Sequence, residues 1–249
     1  MITREITSLQ HPIVKHLMQL RSDRSYRQNY KQVLIAGSKL VSEIAKKYPA
    51  HTLIVEKNSP QPSLKAQECL IVTPSILKKV TGLEAPEPYA ALVQLPENQS
   101  LGKKKLILVL DGISDPGNLG TLIRTALAFG WEGIFLTPGT CDPFNDKAIR
   151  SAKGASFFVP LYQGTEQELV ELIEKNHLRA YVADAKVESV ENEKISSPLA
   201  LILGNEAKGA SDRLKKKYTL LSLPISHIDS LNVAIAGAIL MYLFQRRGI

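Results

Sequence analysis

Near the middle of the chain stands Leu106-Ile107-Leu108-Val109-Leu110, followed directly by Asp111-Gly112-Ile113-Ser114-Asp115-Pro116-Gly117-Asn118-Leu119-Gly120. The first five residues are all aliphatic, which is typical of a parallel strand buried on both faces. The next ten are rich in Gly, Pro, Asp and Asn, so the backbone can turn sharply there and approach a ligand closely. Ligands of open α/β sheets bind at the carboxyl ends of strands. The segment therefore predicts a ligand site, although an ordinary strand-to-helix turn fits the same residues.

Strand and helix patterns alternate through the rest of the C-terminal half. Short aliphatic runs predict strands at residues 106–110, 133–136, 157–160, 180–182, 199–203 and 220–223. Helical spacing of apolar residues predicts helices at residues 119–129, 145–151, 166–176 and 231–246. This alternation predicts a parallel sheet covered by helices on both faces, an α/β/α domain. The last helix is apolar over much of its surface, which suits either the core or a contact with a second copy of the chain.

The N-terminal part predicts a separate, smaller α/β domain. Its helical patterns fall at residues 12–20 and 38–47, and its strand patterns at residues 33–36, 52–55, 70–72 and 89–95. The stretch from Pro96 to Lys105 is polar, lacks apolar periodicity and is typical of a linker. We therefore expect a first domain at residues 1–96, a linker at 97–105 and a second domain at 106–249.

Positive charge is concentrated in the first part of the chain. Residues 1–105 hold 16 Lys and Arg against 8 Asp and Glu, whereas the remainder holds 15 against 16. Fixed positive charge attracts polyanions, so the N-terminal domain is expected to bind nucleic acid; the alternative is a basic surface that serves only solubility. Basic residues recur every three or four positions, as on one face of a helix, at Arg21, Arg24, Arg27 and Lys31. Tyr26 and Tyr30 lie among them and would stack on unpaired bases, or else pack at the margin of a solvated face.

Several other classes of protein are disfavoured. Cys69 and Cys141 are far apart and lack metal-ligand spacing, so we expect no disulfide framework and no metal site, as in a reducing cytoplasm. We also expect no membrane span and no signal peptide. Residues 204–211 lack the ending of a P-loop, and residues 111–120 lack the glycine spacing of dinucleotide sites. His227, Asp229 and Ser230 are nearly adjacent, which does not suit a hydrolase triad, and a nucleophile elbow is absent.

Three predicted strands end in segments of small or polar residues. After residues 111–120, the second segment is Gly204-Asn205-Glu206-Ala207-Lys208-Gly209-Ala210-Ser211, and the third is Pro224-Ile225-Ser226-His227-Ile228-Asp229-Ser230-Leu231-Asn232-Val233-Ala234. The carboxyl ends of parallel strands meet at one edge of a sheet, so the three segments are expected to line one pocket.

These segments resemble the motifs of the SpoU-type (TrmH-like) ribose 2'-O-methyltransferases of the SPOUT superfamily. The first motif is similar to Asp115-Pro116-x-Asn118-x-Gly120-x-x-Ile123-Arg124, and the second to Leu203-Gly204-Asn205-Glu206-x-x-Gly209. The third is similar to Leu223-Pro224-Ile225 with Ser230-Leu231-Asn232-Val233-x-x-Ala236. A family segment between the first two resembles Arg150-Ser151-Ala152-Lys153-Gly154-Ala155. The RNA-binding domain of many rRNA-modifying members resembles Ser8-Leu9-Gln10-His11-Pro12-x-Val14-Lys15-x-Leu17 and Val33-Leu34-Ile35-Ala36-Gly37.

The resemblance implies S-adenosylmethionine as the methyl donor and a deep trefoil knot at the C-terminal end of the sheet. Carried over by position, the residues that hold the cofactor are Leu203, Gly204, Leu223, Ile225 and Leu231. Aliphatic strand ends followed by tight turns agree with this, because an adenine ring needs apolar walls and backbone hydrogen-bonding groups.

The resemblance also assigns the reaction to Asn118, Arg124, Glu206, Ser230 and Asn232. Transfer from a sulfonium is a direct displacement, so the ribose hydroxyl must be oriented and lose its proton while the adjacent phosphate is held. A guanidinium stays protonated, which favours phosphate binding over proton removal for Arg124. Without the resemblance, Arg124 fits the solvated edge of a helix, Asn118 and Ser230 fit helix caps, and Glu206 fits a surface turn.

Four positions depart from the family pattern. His227 and Ala207 stand where glycine is common, Asp115 where asparagine is common, and Ala36 where glutamate is usual. Glycine at 227 would permit a positive φ, which costs a histidine more, so the resemblance leaves the geometry of the cofactor loop open.

We therefore predict a cytoplasmic RNA ribose 2'-O-methyltransferase acting on ribosomal RNA. The resemblance further implies a homodimer with its active site across the subunit interface. The alternatives are a methyltransferase acting on transfer RNA or on a base, and a non-catalytic RNA-binding protein that retains the fold.

Overall fold

The computed structural model describes residues 1–185, 187 and 197–247, apart from the side chains of residues 246 and 247. Two compact units are present: the first comprises Met1–Pro96 and Phe144–Asp146, and the second comprises Glu97–Pro143 and the described residues from Lys147 onward. Each unit has its own sheet and its own buried core. In the part of the chain that the structure describes, no helix has the length and apolar content needed to span a bilayer.

The first unit is built on five strands: β1 (Ile2–Ile6), β2 (Gln32–Ala36), β3 (Ala50–Glu56), β4 (Ala66–Val72) and β5 (Tyr89–Gln94). They form a mixed sheet in the order β1-β4-β3-β5-β2, in which only the pairings of β5 are antiparallel. The helices are α1 (Pro12–Ser22), α2 (Arg24–Tyr30), α3 (Ser38–Ile44) and α4 (Pro74–Thr81). Apolar residues of α1 and α4 pack with the sheet in one core, which confirms a small α/β domain.

Among its described residues, the second unit contains six strands: β6 (Leu106–Asp111), β7 (Gly133–Leu136), β8 (Leu161–Gln163), β9 (Arg179–Ala183), β10 (Leu199–Gly204) and β11 (Thr219–Leu221). Their order is β11-β9-β10-β6-β7-β8, and every neighbouring pair is parallel, which confirms the predicted parallel sheet. The chain moves outward from β6 to β8 and then crosses to β9 on the other side. Such a reversal of strand order is where open α/β sheets bind ligands.

The helices of the second unit are α5 (Pro116–Ala128), α6 (Asp146–Ser151), α7 (Glu166–Lys175), α8 (Asp212–Lys217) and α9 (Val233–Arg247). Helix α9 packs closely on α5 and β10 at Gly237. A Cβ there would lie 2.5 Å from side-chain atoms of both Leu122 and Leu203. The loops before α5 and α9 are thereby brought near the end of β10.

The strand predicted at residues 157–160 is wrong. Residues Ala155–Phe157 form a single 3-10 turn after Gly154, whose φ is 80°, and β8 begins only at Leu161. Phe157 and Val159 are nevertheless buried. Burial in the core, without strand pairing, therefore explains the apolar run.

Three elements have no counterpart in the sequence predictions. Strand β1 is almost wholly exposed, and α8 is short and carries three consecutive lysines. Both lack an apolar periodicity that would reveal them. Helix α4 has that periodicity but is only eight residues long.

The polar segment at residues 97–105, predicted to be a linker, makes contacts within the second unit. The Asn98 side chain exchanges two hydrogen bonds of 2.9 Å with the backbone of Gln163 in β8. Leu101 is buried, and its carbonyl accepts a hydrogen bond of 2.9 Å from the Asn176 side chain. Single anchoring residues of this kind leave no periodic signal in a sequence.

Candidate functional site

The carboxyl ends of β6 and β10 lie side by side, where Asp111 pairs with Gly204. A Cβ at Gly204 would lie 1.9 Å from the backbone nitrogen of Ala210, so only glycine fits. Asn205 and Gly209 then exchange backbone hydrogen bonds of 3.0 and 2.8 Å, which closes a tight turn. The Asn205 side chain donates to the Gly112 carbonyl at 2.9 Å. This bond joins the first polar segment to the second.

A cavity of about 910 Å³ lies at this edge of the sheet. All five residues predicted to hold the cofactor line it, namely Leu203, Gly204, Leu223, Ile225 and Leu231. Three of the residues predicted to take part in the reaction line it as well: Glu206, Ser230 and Asn232. Residues 111–120 are not part of the wall. The expectation that all three segments line one pocket is therefore wrong for the first segment, which is joined to the others by hydrogen bonds.

The Glu206 carboxylate joins the second segment to the first. Its Oε2 accepts from the Ser114 amide at 3.3 Å and the Ser114 hydroxyl at 3.0 Å. Its Oε1 accepts from the Asp115 amide at 3.3 Å and from Asn118 Nδ2 at 3.0 Å. Desolvation alone would raise the pKa of Glu206, but these hydrogen bonds, that from Asn118 foremost, outweigh it and hold the pKa below its usual value. The carboxylate is thus ionised at neutral pH and suited to locking the two loops.

Asn232 joins the third segment to the same group. Its Nδ2 donates to Asn118 Oδ1 at 3.1 Å, so Asn118 lies between Asn232 and Glu206. Asn232 Oδ1 also accepts from the amides of Ala234 and Ile235, at 2.9 and 3.3 Å, at the start of α9. The first segment is therefore connected to both later segments through side-chain amides.

The residues that cap α5 and α9 are not Asn118 and Ser230, which the sequence offered as alternatives. Asp115 caps α5, because its Oδ1 accepts from the Asn118 amide at 2.8 Å, so Asn118 is not the cap. At the start of α9 the capping bonds come from Asn232. Ser230 is exposed and lines the cavity, and the alternative that it caps α9 is wrong.

Arg124 lies on the solvent side of α5, outside the cavity wall. The opposite side of the helix is buried at Leu119, Leu122, Ile123 and Ala126. Within residues 1–185, 187 and 197–247, no hydrogen bond or ion pair holds its guanidinium. Arg124 is therefore presented outward, as both its functional and its structural interpretation require.

The departures from the family pattern are accommodated locally. His227 adopts φ 66°, so this residue takes the left-handed conformation that glycine adopts more readily. Ala207 has no positive φ; its amide donates to Asn205 Oδ1 at 3.0 Å within the tight turn. Both loops close without glycine at these positions.

Other residues of the site were not found from the sequence. Asp184 and Lys215 form an ion pair of 2.8 Å, and both line the cavity. Their only sequence signal is that Asp184 directly follows a strand.

Burial, and then the negative charges of Asp115 and Asp142, raise the pKa of Cys141 to about 11. This thiol is neutral at physiological pH and unsuited to act as a nucleophile.

The prediction that Arg21, Arg24, Arg27 and Lys31 form one basic face of a single helix is wrong. The chain breaks at Asp23, which ends α1 and caps α2, and Lys31 lies beyond α2 in the left-handed conformation. Arg27 is 2% exposed, and its guanidinium donates to the carbonyls of Leu20 and Arg21 at 2.7 and 2.8 Å. The buried Arg27 guanidinium therefore satisfies backbone carbonyls at the C-terminal end of α1 that lack a partner within the helix.

The other basic residues of this group remain nearer the surface. Arg24 and Lys31 are exposed, while Arg21 is half-buried with its guanidinium over Gly82. The rings of Tyr26 and Tyr30 lie 4.4 Å apart, and Tyr30 is 52% exposed. The RNA-binding role of these residues stays a prediction.

A parallel α/β sheet with a cavity at its carboxyl edge, walled by backbone turns and aliphatic strand ends, defines a protein that binds a nucleoside-like cofactor. Residues 105–242 match the SpoU rRNA Methylase family, and residues 11–91 match the MRM3-like substrate binding domain. The chain belongs to the SpoU family.

Relatives match over nearly the whole chain. The 23S rRNA (guanosine(2553)-2'-O)-methyltransferase RlmP of Bacillus subtilis is 33% identical, over 96% of this chain and 98% of its own. An AdoMet-bound rRNA methyltransferase from Sinorhizobium meliloti is 26% identical, with a TM-score of 0.85 over 99% of both chains. An RNA 2'-O ribose methyltransferase is 26% identical, with a TM-score of 0.84 over 98% of this chain and 99% of its own. The activity is thus transfer of a methyl group from S-adenosylmethionine to a ribose 2'-hydroxyl of RNA.

The residues present fit this cofactor. The cavity is within the range of about 300–1,000 Å³ that is usual for small-molecule sites. Aliphatic side chains form part of its wall at Leu203, Leu223 and Leu231, and the turn at Gly204 brings the backbone to its surface. An adenosine group would be held between these apolar side chains and the turn after β10.

Proposed function

We propose that this chain methylates ribosomal RNA of the large subunit in the cytoplasm. The single observation that carries this is the 33% identity, over nearly full length, to a relative named for a guanosine of 23S rRNA. The first unit supports it, because it matches a substrate binding domain and carries the excess of basic residues. The corresponding guanosine is the first nucleotide to examine.

We further propose roles for the residues of the site. When bound, S-adenosylmethionine supplies a methyl group on a positively charged sulfur. Asn118 and Asn232 orient the ribose 2'-hydroxyl, and Glu206 holds their loops in place. Ser230 hydrogen-bonds the RNA at the cavity, where its hydroxyl is exposed. Arg124 binds the phosphate beside the reacting ribose, since its guanidinium stays charged.

We propose that two copies of the chain form a homodimer in which Arg124 of each copy serves the cavity of the other. In its own chain Arg124 lies outside the cavity wall. Helix α9 exposes Ile235, Ile239 and Tyr242, which are spaced as one face of a helix, and their exposed fractions are 54%, 39% and 40%. The Phe129 ring, directly after α5, lies 5.7 Å from that of Tyr242 and extends this apolar surface toward α5. Exposed apolar surfaces of this kind mark sites of association.

The proposed substrate is tested by mapping ribose methylation in total RNA. Cells with and without the gene are compared, and the purified chain is then supplied with unmodified RNA and S-adenosylmethionine. We expect one 23S rRNA nucleotide to lose its 2'-O-methyl group in the deletion strain and to regain it in vitro. Loss of the 2'-O-methyl group from transfer RNA would instead establish that alternative substrate, and loss of a methylated base, measured by mass spectrometry of the nucleosides, would establish base methylation. Absence of any difference would favour a non-catalytic RNA-binding protein.

Arg124→Ala is expected to abolish transfer while S-adenosylmethionine affinity stays within about twofold, because Arg124 is assigned to RNA and not to the cofactor. Calorimetry measures cofactor binding, and incorporation of labelled methyl groups measures transfer. Arg213→Ala is the control, since it removes an arginine that is paired with Glu166 on α7. Near-normal turnover by Arg124→Ala would refute the assignment.

A further inference from the structure

Lys147, at the start of α6, lies beside the group of residues around Glu206. Its ammonium is 2.9 Å from Asp115 Oδ2, while the other oxygen of that carboxylate caps α5. The Asp115 amide in turn donates to Glu206. A Cβ at Gly117 would lie 3.6 Å from Lys147 Cε, so the lysine stem runs along the first turn of α5. Lys147 is thus linked through Asp115 to the Glu206 carboxylate, which holds the catalytic loops together.

Stability does not explain this pair well. The side chains of Lys147 and Asp115 are 55% and 43% exposed, and ion pairs this exposed contribute little to folding. Asparagine caps a helix as well as aspartate does. What aspartate adds is a second, charged oxygen, and that oxygen is the one that holds Lys147.

The negative charges of Asp115 and Glu206 favour a cation beside Asp115, where Lys147 lies. The hydrogen bond from Lys147, and then that from the Asn118 amide, hold the pKa of Asp115 below its usual value. Glu206 is ionised as well. RNA brings further negative charge to the site, and two carboxylates without compensation would repel it. Lys147 supplies the positive charge on the exposed side of these carboxylates.

We propose that Lys147 binds a phosphate of the RNA strand next to the nucleotide that is methylated. This assignment rests on the proposed function, because it needs RNA at the cavity. Lys147 and Arg124 do not share one phosphate within a chain, since Gly117 and Arg124 are seven residue steps, or about 10 Å, apart along α5. Lys147 is held in place by Asp115 and acts as a second anchor for the RNA backbone.

The test compares RNA binding by Lys147→Ala and the unaltered protein across a range of salt concentrations. The probe is unmodified 23S rRNA transcribed in vitro. A lost phosphate contact lowers the salt dependence, so the slope of log affinity against log salt should fall by about 0.7–0.9, with affinity down about tenfold at low salt. S-adenosylmethionine affinity and melting temperature should not change. Lys147→Arg should restore the slope, because it keeps the charge.

Two further variants separate this role from a structural one. Lys217→Ala is the matched control, since Lys217 is also half-exposed in an ion pair of 2.9 Å, with Glu174. It should leave the slope unchanged. Asp115→Asn keeps a cap for α5 and removes the ion pair, but it keeps the positive charge of Lys147, so its slope should stay close to that of the unaltered protein. Adding Asp115→Asn to Lys147→Ala should recover part of the lost affinity by removing a repelling charge.

Two results would overturn the assignment. One is an unchanged slope in Lys147→Ala; the other is equal losses in Lys147→Ala and Asp115→Asn together with lowered melting temperatures, which would show that the pair only supports the loops. Methylation of the transcript by the unaltered protein is measured separately. Its absence would count against the proposed substrate, whereas the salt slope reports on Lys147 alone.

Discussion

Glu206 shows how one side chain makes a site from separate loops. It accepts hydrogen bonds from Ser114, Asp115 and Asn118, and Asn118 in turn accepts from Asn232. These donors reach both oxygens of the side chain, so both atoms must accept hydrogen bonds. A carboxylate has two acceptor oxygens, whereas an amide has one oxygen and one NH2 group that only donates. A glutamate suits this position because of the number of donors that surround it.

Glu206→Gln is expected to lower transfer by at least about tenfold, because its amide group faces donors and loosens the loops that orient the ribose. The pKa of Glu206 is depressed in the folded protein. Its stabilisation is therefore present above the pKa of an unfolded glutamate and is lost as pH falls through the folded value. Melting temperatures between about pH 3 and pH 7 should show this loss in the unaltered protein and less of it in the variant. Equal pH dependence in both would contradict the assigned charge.

The element that shapes the cavity is the turn that follows β10. Gly204 has no room for a Cβ against Ala210, and the backbone bonds between Asn205 and Gly209 close the turn within five residues. The turn determines where Glu206 lies and forms part of the cavity wall. Packing of backbone on backbone, and not a side chain, therefore sets the geometry at this strand end.

Gly204→Ala is expected to destabilise the protein by about 1–3 kcal/mol and to weaken S-adenosylmethionine binding, because backbone atoms cannot move aside as a side chain can. Thermal unfolding and calorimetry measure the two effects. Gly102→Ala is the control, since a Cβ there meets only Ser100 Oγ, at 3.4 Å, and stability should change by less than about 0.5 kcal/mol. Normal cofactor affinity in Gly204→Ala would show that the turn does not hold the cofactor.

For the whole molecule, the proposed dimer makes the site a product of two chains. The apolar face of α9, at Ile235, Ile239 and Tyr242, is the surface we assign to the contact. The deep trefoil knot that the family resemblance implies stays a prediction. The dimer depends on how two chains associate, and the knot depends on the course of the whole chain, so neither follows from a single contact.

Hybrid dimers test the shared site. In a mixture of Arg124→Ala and Glu206→Ala chains, each hybrid dimer has one site with both residues intact if Arg124 serves the other chain. Random pairing should then restore about a quarter of normal activity from two inactive variants. Without sharing, every site of every hybrid carries a lesion and the mixture stays inactive. Ile239→Glu should abolish both association, measured by light scattering, and activity.

The sequence by itself determined the small N-terminal α/β domain, the parallel sheet and most strand ends. Apolar periodicity records burial, and burial dominates the choice of element. The family motifs at the strand ends also predicted Leu203, Gly204, Leu223, Ile225 and Leu231, and all five line the cavity. The failures of the sequence predictions were local: residues 157–160 are buried without being a strand, and the basic run at Arg21–Lys31 is broken by the cap at Asp23.

Only the tertiary structure decided which side chains meet. Asn118 lies 88 residues before Glu206 and 114 residues before Asn232. Their contacts exist because β6, β10 and α9 converge at one edge of the sheet. The burial of Arg27 and the pairing of Lys147 with Asp115 are likewise long-range or turn-dependent contacts. Sequence periodicity reports how each residue faces the core, whereas hydrogen-bond partners depend on how distant segments pack, which no local pattern records.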